Sequence, residues 1–144
     1  MAGALAVRRA TTADTPRIAG LLDELGYHLP PASAREAIAR ILRDRSHRTL
    51  IATAGRATVG FINVGYRFQL HHAGVVGTID ELVVAERHRS AGVGARLVVA
   101  ALAEARRRGA VVLEVSSNLR RRRAHAFYER CGFARTSLKF VREP

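Results

Sequence analysis

Cysteine, lysine, methionine and tryptophan are nearly missing from these 144 residues: Cys131, Lys139 and Met1 each stand alone, and there is no tryptophan. A single cysteine excludes an internal disulfide and fits a reducing cytoplasm. Proline is held to four residues and glycine is scattered rather than clustered, so neither a linker nor an internal repeat is expected. No apolar run approaches the roughly 20 residues that span a bilayer, so no membrane partner is expected. The opening stretch MAGALAVRRATTAD has a short apolar patch with arginines behind it and no cleavage pattern, which argues against a secretory leader.

What remains is the balance of a globular chain, 48% hydrophobic and 25% charged, which excludes collagen-like, disordered and disulfide-scaffold classes. A chain of this length hides roughly two-thirds of the surface its unfolded form exposes, enough for one domain over residues 1–144 and not for two. The formal charge is +12, and all but one of the 24 basic residues are arginine. Such a chain attracts anions, whether phosphorylated cofactors, acidic small molecules or nucleic acid. An arginine-rich coding bias would leave the same composition. A nucleic-acid module would interleave arginines with aromatics on one face, yet only eight aromatics exist and the arginines are spread along the chain, so that reading ranks last.

Strand and helix periods alternate. Leu5–Ala10 reads as a short strand with Thr11 and Thr12 as turn and cap. Ile18, Leu21, Leu22 and Leu25 recur at helical spacing behind Pro16, with Gly26 to close the end. Ser33 and Glu36 have capping-box spacing ahead of the stripe Ile38, Ile41 and Leu42, which predicts a second helix. Thr49–Ala54 and Ala57–Phe68 read as a hairpin around Ala54-Gly55-Arg56, and Val75–Val84 as a strand after the loop Gln69–Gly74. Gly94–Arg108 carries Leu97, Val98, Ala101, Leu102 and Ala105 on one helical face, with Gly109 as the stop. Val111–Val115 is a short apolar strand, Arg123–Arg130 a last helix ended by Gly132, and Phe133–Val141 a final strand. This order predicts an α/β (α+β) fold, a mixed sheet covered by helices on both faces.

Chemistry concentrates where the strand ending at Val84 runs through a glycine-bearing turn into the central helix. Helix N-termini present N–H groups with no intrahelical partner at the positive end of the dipole, and anions bind there. Gly92 and Gly94 keep side chains away from such a guest, and Arg89 adds a planar fork of donors. A pyrophosphate suits this turn. A P-loop would need a Gly-Lys-Ser/Thr ending, and no lysine lies here. A dinucleotide fingerprint would need a glycine where Leu97 stands and a shorter approach than Ala85 to Ala91.

Arg89-Ser90-Ala91-Gly92-Val93-Gly94 resembles the Arg/Gln-x-x-Gly-x-Gly/Ala acetyl-CoA motif of the GCN5-related N-acetyltransferase (GNAT) superfamily, and Ala126-Phe127-Tyr128-Glu129-Arg130-Cys131-Gly132-Phe133 resembles its late signature. The likeness extends over the whole chain. It implies a mixed, mostly antiparallel central sheet of six to seven strands with about four helices on both faces, and acetyl-CoA as co-substrate. The pyrophosphate would lie on the backbone of Ser90, Ala91, Gly92, Val93, Gly94 and Ala95, beside Arg89. The pantetheine arm would run along Leu82, Val83 and Val84. Phe68-Gln69-Leu70-His71-His72, Glu81-Leu82-Val83-Val84 and Ser117-Asn118 leading to Ala124-His125-Ala126-Phe127-Tyr128 are similar to the aminoalkylphosphonate N-acetyltransferases within that superfamily.

The implied reaction is attack of a neutral primary amine on the acetyl thioester. Glu81, at the end of the strand nearest the thioester, is the first choice of general base, directly or through water, with Asp80 second. Adjacent strand residues face opposite sides, so one of the two is expected to point into the site. Tyr128 is the expected acid. Its reference pKa is about 1.5 units above that of a thiol, an uphill transfer of about 2 kcal/mol, so a hydrogen bond that strengthens as charge builds on sulfur suffices. Asn118 is expected to bond the cofactor arm, although superfamily members often carry an Asn where this chain has Arg121. Tyr27, Phe68, His71 and His72 are candidates for the amine site. Neighbouring histidines on an extended chain rarely chelate together, so no metal is expected. Cys131 reads as a small buried apolar residue. The acceptor is expected to be a small amine, anionic in the phosphonate case, with a protein or peptide amine as the alternative. A homodimer is expected only because small enzymes often form one.

Overall fold

The computed structural model describes residues 3–144. Nine elements follow one another: β1 (Leu5–Arg9), α1 (Thr15–Leu25), α2 (Pro31–Arg43), β2 (His47–Ala54), β3 (Ala57–Gln69), β4 (Gly74–Val84), α3 (Val93–Arg107), β5 (Val112–Val115) and α4 (Arg122–Arg130). Short 3-10 turns at Thr12–Asp14, Leu70–His72 and Glu86–His88 punctuate them. The five strands lie in sequence order in one sheet, antiparallel throughout except for the parallel β4–β5 pair.

Each helix follows from a stripe and a stop. Pro16 sits in the first turn of α1, where its missing N–H is no loss, and Gly26 ends the helix in the left-handed region at φ 104°. Asp14 anchors the strand that precedes it. Two guanidinium N–H groups of Arg8 donate to the Asp14 carboxylate at 2.9 Å each, and the Thr11 backbone N–H donates to it at 2.7 Å.

Apolar side chains fill two layers. On one face of the sheet, Leu97, Val98 and Ala101 of α3 pack on Ala52, Ile62 and Val64. On the other, Ile18 and Leu21 of α1 and Ile38 of α2 pack on Ile51, Phe61 and Val83. Helices therefore cover both faces, as the alternation of periods implied.

Two expectations are corrected. The sheet among the described residues has five strands, not six or seven, because Phe133–Val141 forms none. Leu138, Phe140 and Val141 are 68%, 88% and 80% exposed, so this stretch lacks the buried face that fixes a strand's register. The second helix starts at Pro31, with Ser33 already inside its first turn and no side-chain cap, so Ser33 and Glu36 make no capping box. Pro31 supplies a preset φ in place of the hydroxyl.

Candidate active site

The register between β3 and β4 slips by one residue. Asn63 pairs with Glu81 but Val64 pairs with Ile79, so Asp80 is the extra residue of a β-bulge. On a regular strand Asp80 and Glu81 would face opposite sides. The bulge resets the alternation, and both carboxylates line the same cavity of about 260 Å3 between α1, α2 and the sheet. This corrects the expectation that only one of them faces the site.

The walls of the cavity are apolar, from Ile18, Leu22 and Ile38, and its polar floor is Thr49, Asn63, Asp80 and Glu81. A hydrogen-bond chain fixes that floor. Thr49 Oγ1 donates to Asn63 Oδ1 at 3.2 Å, and Asn63 Nδ2 donates to Glu81 Oε2 at 2.9 Å. Burial pushes the Glu81 carboxyl above its ordinary range; the Asn63 hydrogen bond opposes this, the Asp80 charge adds to it and His47 opposes it. Partial burial also raises Asp80, against the positive charges of His47, Lys139 and Arg67. A carboxyl raised in this way holds its proton to higher pH than a solvated glutamate does.

Of the four residues expected around the amine, Tyr27 lines this cavity while remaining 62% exposed. Phe68, His71 and His72 do not. Phe68 pairs with Val75, and the two histidines sit on the 3-10 turn before Gly74, about 20 Å along the strand from Asp80. All three are exposed at the hairpin tip, which removes them from the cavity. Among the described residues, no group of three or more His, Cys, Asp or Glu could hold a metal ion.

On the far edge of β4 the parallel ladder with β5 ends at Ile79 and Val115, so Glu81 to Val84 pair only with β3. An extended arm lying along Leu82, Val83 and Val84 would find main-chain groups free of a strand partner there. Beyond Val84, the turn is shaped for an anion. Ser90 and Gly92 take left-handed φ values of 63° and 80°, and α3 begins at Val93 with no side-chain cap. The first-turn N–H groups of Val93, Gly94 and Ala95 therefore have no side-chain acceptor. Arg89 lies exposed beside them and donates from Nε to the Val84 carbonyl at 3.2 Å. Gly94 has a second reason to lack a side chain, since a Cβ there would lie 3.0 Å from Cζ of Phe127. These features fit a pyrophosphate group and its extended arm.

Tyr128 stands on α4 between Phe127 and Phe133, with edge-on ring contacts at 5.3 and 5.8 Å. Burial raises its phenol above the ordinary value, with Arg121 opposing and Cys131 adding to the shift, so the hydroxyl keeps its proton. Asn118 is exposed, and its Oδ1 accepts from the Arg120 backbone N–H at 2.9 Å, which leaves its amide NH2 available. Cys131 is half-buried, and burial raises its thiol too.

Asn63, Thr49 and His47 escaped the sequence reading. Their signal was there in part: Asn63 interrupts the apolar run Val59–Val64, and a polar residue in a buried strand needs a partner.

Residues 15–133 match the model of the acetyltransferase (GNAT) family. The chain is 36% identical over 137 residues to an aminoalkylphosphonate N-acetyltransferase of Salmonella typhimurium strain LT2, covering 94% of this chain and 89% of that protein. Among solved structures, it superposes on a transcriptional regulator from Bacillus halodurans C-125 with a TM-score of 0.85 and 26% identity, over 96% of this chain and 99% of that one. It also superposes on AAC(6')-Iy in complex with a CoA-containing bisubstrate analogue, with a TM-score of 0.89, 17% identity and 99% of both chains covered. The chain belongs to the GNAT acetyltransferase family and is an acetyl-CoA-dependent N-acetyltransferase.

Proposed function

We propose that the protein acetylates a small primary amine that also carries an anionic group, an aminoalkylphosphonate being the leading case. The observation that carries this reading is the bulge, which sets two carboxylates with raised pKa values on the floor of one cavity too small for a folded chain. The 36% identity to an aminoalkylphosphonate enzyme supports the choice of acceptor.

Glu81, held at Oε2 by Asn63, takes the proton from the incoming ammonium at Oε1 or through one water. Asp80 beside it holds the ammonium before that transfer. When bound, acetyl-CoA supplies the acetyl group as a thioester, and the carbon–nitrogen bond forms as the carbon–sulfur bond breaks. The backbone from Ser90 to Ala95 and Arg89 hold the phosphates, and Leu82 to Val84 and Asn118 guide the arm. Tyr128 donates from its hydroxyl to the departing sulfur, for which a retained proton is the requirement.

The test is thiol release from acetyl-CoA with aminomethyl- and aminoethylphosphonate, neutral amines of equal length and a lysine-containing peptide. The phosphonates should turn over best. Tyr128→Phe should lower kcat by about 10- to 100-fold while the rise in thermal midpoint with acetyl-CoA persists. Preference for the peptide would replace the small-amine reading.

A further inference from the structure

Where the β4–β5 ladder ends, Ser116 and Ser117 leave β5 at the level at which β4 carries Asp80 and Glu81. A groove of about 440 Å3 lies along this departing segment, walled by Ser116, Ser117, Asn118 and Arg120 and by Lys139 of the carboxy-terminal tail.

The polar lining is a set of donors. Lys139 and Arg120 are exposed cations, and neither is held in an ion pair among the described residues. The Oγ of Ser117 is buried with no hydrogen-bond partner, the kind of orphan that a bound group satisfies. Asn118 spends its Oδ1 on the turn, so its amide N–H groups are what it has left to offer. No carboxylate lines the groove among the described residues. Two cations and two hydroxyls suit an oxyanion. Lys139 is also the one lysine in the chain, and the β4–β5 register sets the start of the groove level with the two carboxylates.

We infer that this groove is the subsite for the anionic group of the acceptor, a tetrahedral oxyanion held by Lys139, Arg120 and the Ser117 hydroxyl while the amine sits at Asp80 and Glu81. The last β4–β5 pair, Ile79 and Val115, lies about 5 Å apart, and both sites begin one residue beyond it, so a short carbon chain joins the anion to the nitrogen. This assignment rests on the acetyl-transfer reading above and adds the residues that select the acceptor.

Methylphosphonate has the anion without the amine, and its binding to the full chain can be followed by 31P NMR and by thermal midpoint. Wild type should bind it, Lys139→Ala and Arg120→Ala should each weaken binding about tenfold, and Lys139→Arg should recover most of the loss. In turnover, both alanine variants should raise KM for aminomethylphosphonate by about the same factor, with KM for acetyl-CoA moving less than about twofold. Both side chains are exposed, so the fold should tolerate their loss. Equal methylphosphonate binding by wild type and variants, or none by wild type, overturns the subsite. A rise in KM for acetyl-CoA instead would assign the groove to a cofactor phosphate and overturn it equally. Lys139-dependent methylphosphonate binding in a chain that releases no thiol with any amine would uphold the anion site and remove the acetyl-transfer reading.

Discussion

Asn63 donates its side-chain N–H to the Glu81 carboxylate across the β3–β4 ladder at 2.9 Å, and it does so from a position that is 4% exposed. One hydrogen bond does not offset the burial of Glu81, whose carboxyl stays above its ordinary range. Glu81→Gln keeps an oxygen for Asn63 and removes the proposed base, so kcat should fall by about 100-fold or more. Stability should move the other way. A carboxyl raised in the folded state contributes stability that is fully present below its unfolded value near 4.5 and is lost as pH rises through the folded value. The neutral glutamine escapes that loss. Its thermal midpoint at pH 7 should therefore exceed that of wild type, and the gain should vanish by about pH 4. A midpoint at or below wild type at pH 7 would contradict the burial argument.

His47 stands beside the two carboxylates. Its Nδ1 is buried without a hydrogen-bond partner 4.0 Å from Asp80 Oδ2, and its Nε2 lies 4.0 Å from Asp44 Oδ2. Gly65 makes the approach possible, since a Cβ there would lie 3.0 Å from both Asp80 Oδ2 and His47 Cε1. Arg108 braces the same corner by donating to the His47 carbonyl at 3.3 Å. His47 lowers the Asp80 and Glu81 carboxyls, so His47→Ala should let both rise further. The acid limb of the kcat/KM profile should then shift to higher pH. A uniform loss of rate with an unshifted limb would assign His47 a packing role instead.

Period and punctuation made most of this architecture readable. Leucine and isoleucine at helical spacing gave α1, leucine, valine and alanine gave α3, and Gly26 and Gly109 ended them within a residue or two of the expected points. The anion turn was readable because a glycine just before a helix, Gly92, and another in its first turn, Gly94, are an unusual pair. The bulge at Asp80 was not, because a one-residue slip leaves no mark in composition, and it decides that two carboxylates share a cavity. His71 and His72 looked functional as a pair. Their distance from Asp80 depends on the length of β4 and on which end of it carries the carboxylates, a fact of register rather than of residue type.

Glu104 supplies a separate pH dependence, remote from the chemistry. Burial alone would raise its carboxyl, but Arg107, Arg48 and Arg108 all donate to it and hold it at about 2. This ties α3 to β2. A depressed carboxyl contributes stability present above its unfolded value of 4.5 and lost as pH falls through the folded value of about 2. Glu104→Gln should cost about 3 kcal/mol at pH 7, measured by urea unfolding. The deficit should shrink steadily between about pH 4.5 and about pH 2, as the wild-type carboxyl takes up its proton. A deficit independent of pH would mean that the arginines act through their stems rather than their charges.

Gly94 can lack a side chain for the cofactor or for Phe127, and a paired substitution separates the two. Glycine to alanine inside a helix normally gains about 1 kcal/mol, yet here the new methyl would press on Cζ and Cε2 of Phe127 at 3.0 and 3.2 Å. Phe127 adjoins Tyr128 on α4, with ring centroids 5.3 Å apart, so a displaced Phe127 carries the phenol with it. Gly94→Ala alone should lower kcat by about tenfold with little change in thermal midpoint, because strain and helix propensity oppose each other. Adding Phe127→Leu makes room for the methyl and should restore kcat toward the level of Phe127→Leu by itself, a non-additive pair in a double-mutant cycle. If KM for acetyl-CoA is raised in Gly94→Ala and stays raised in the double variant, the missing side chain serves the phosphates of the cofactor rather than the tyrosine.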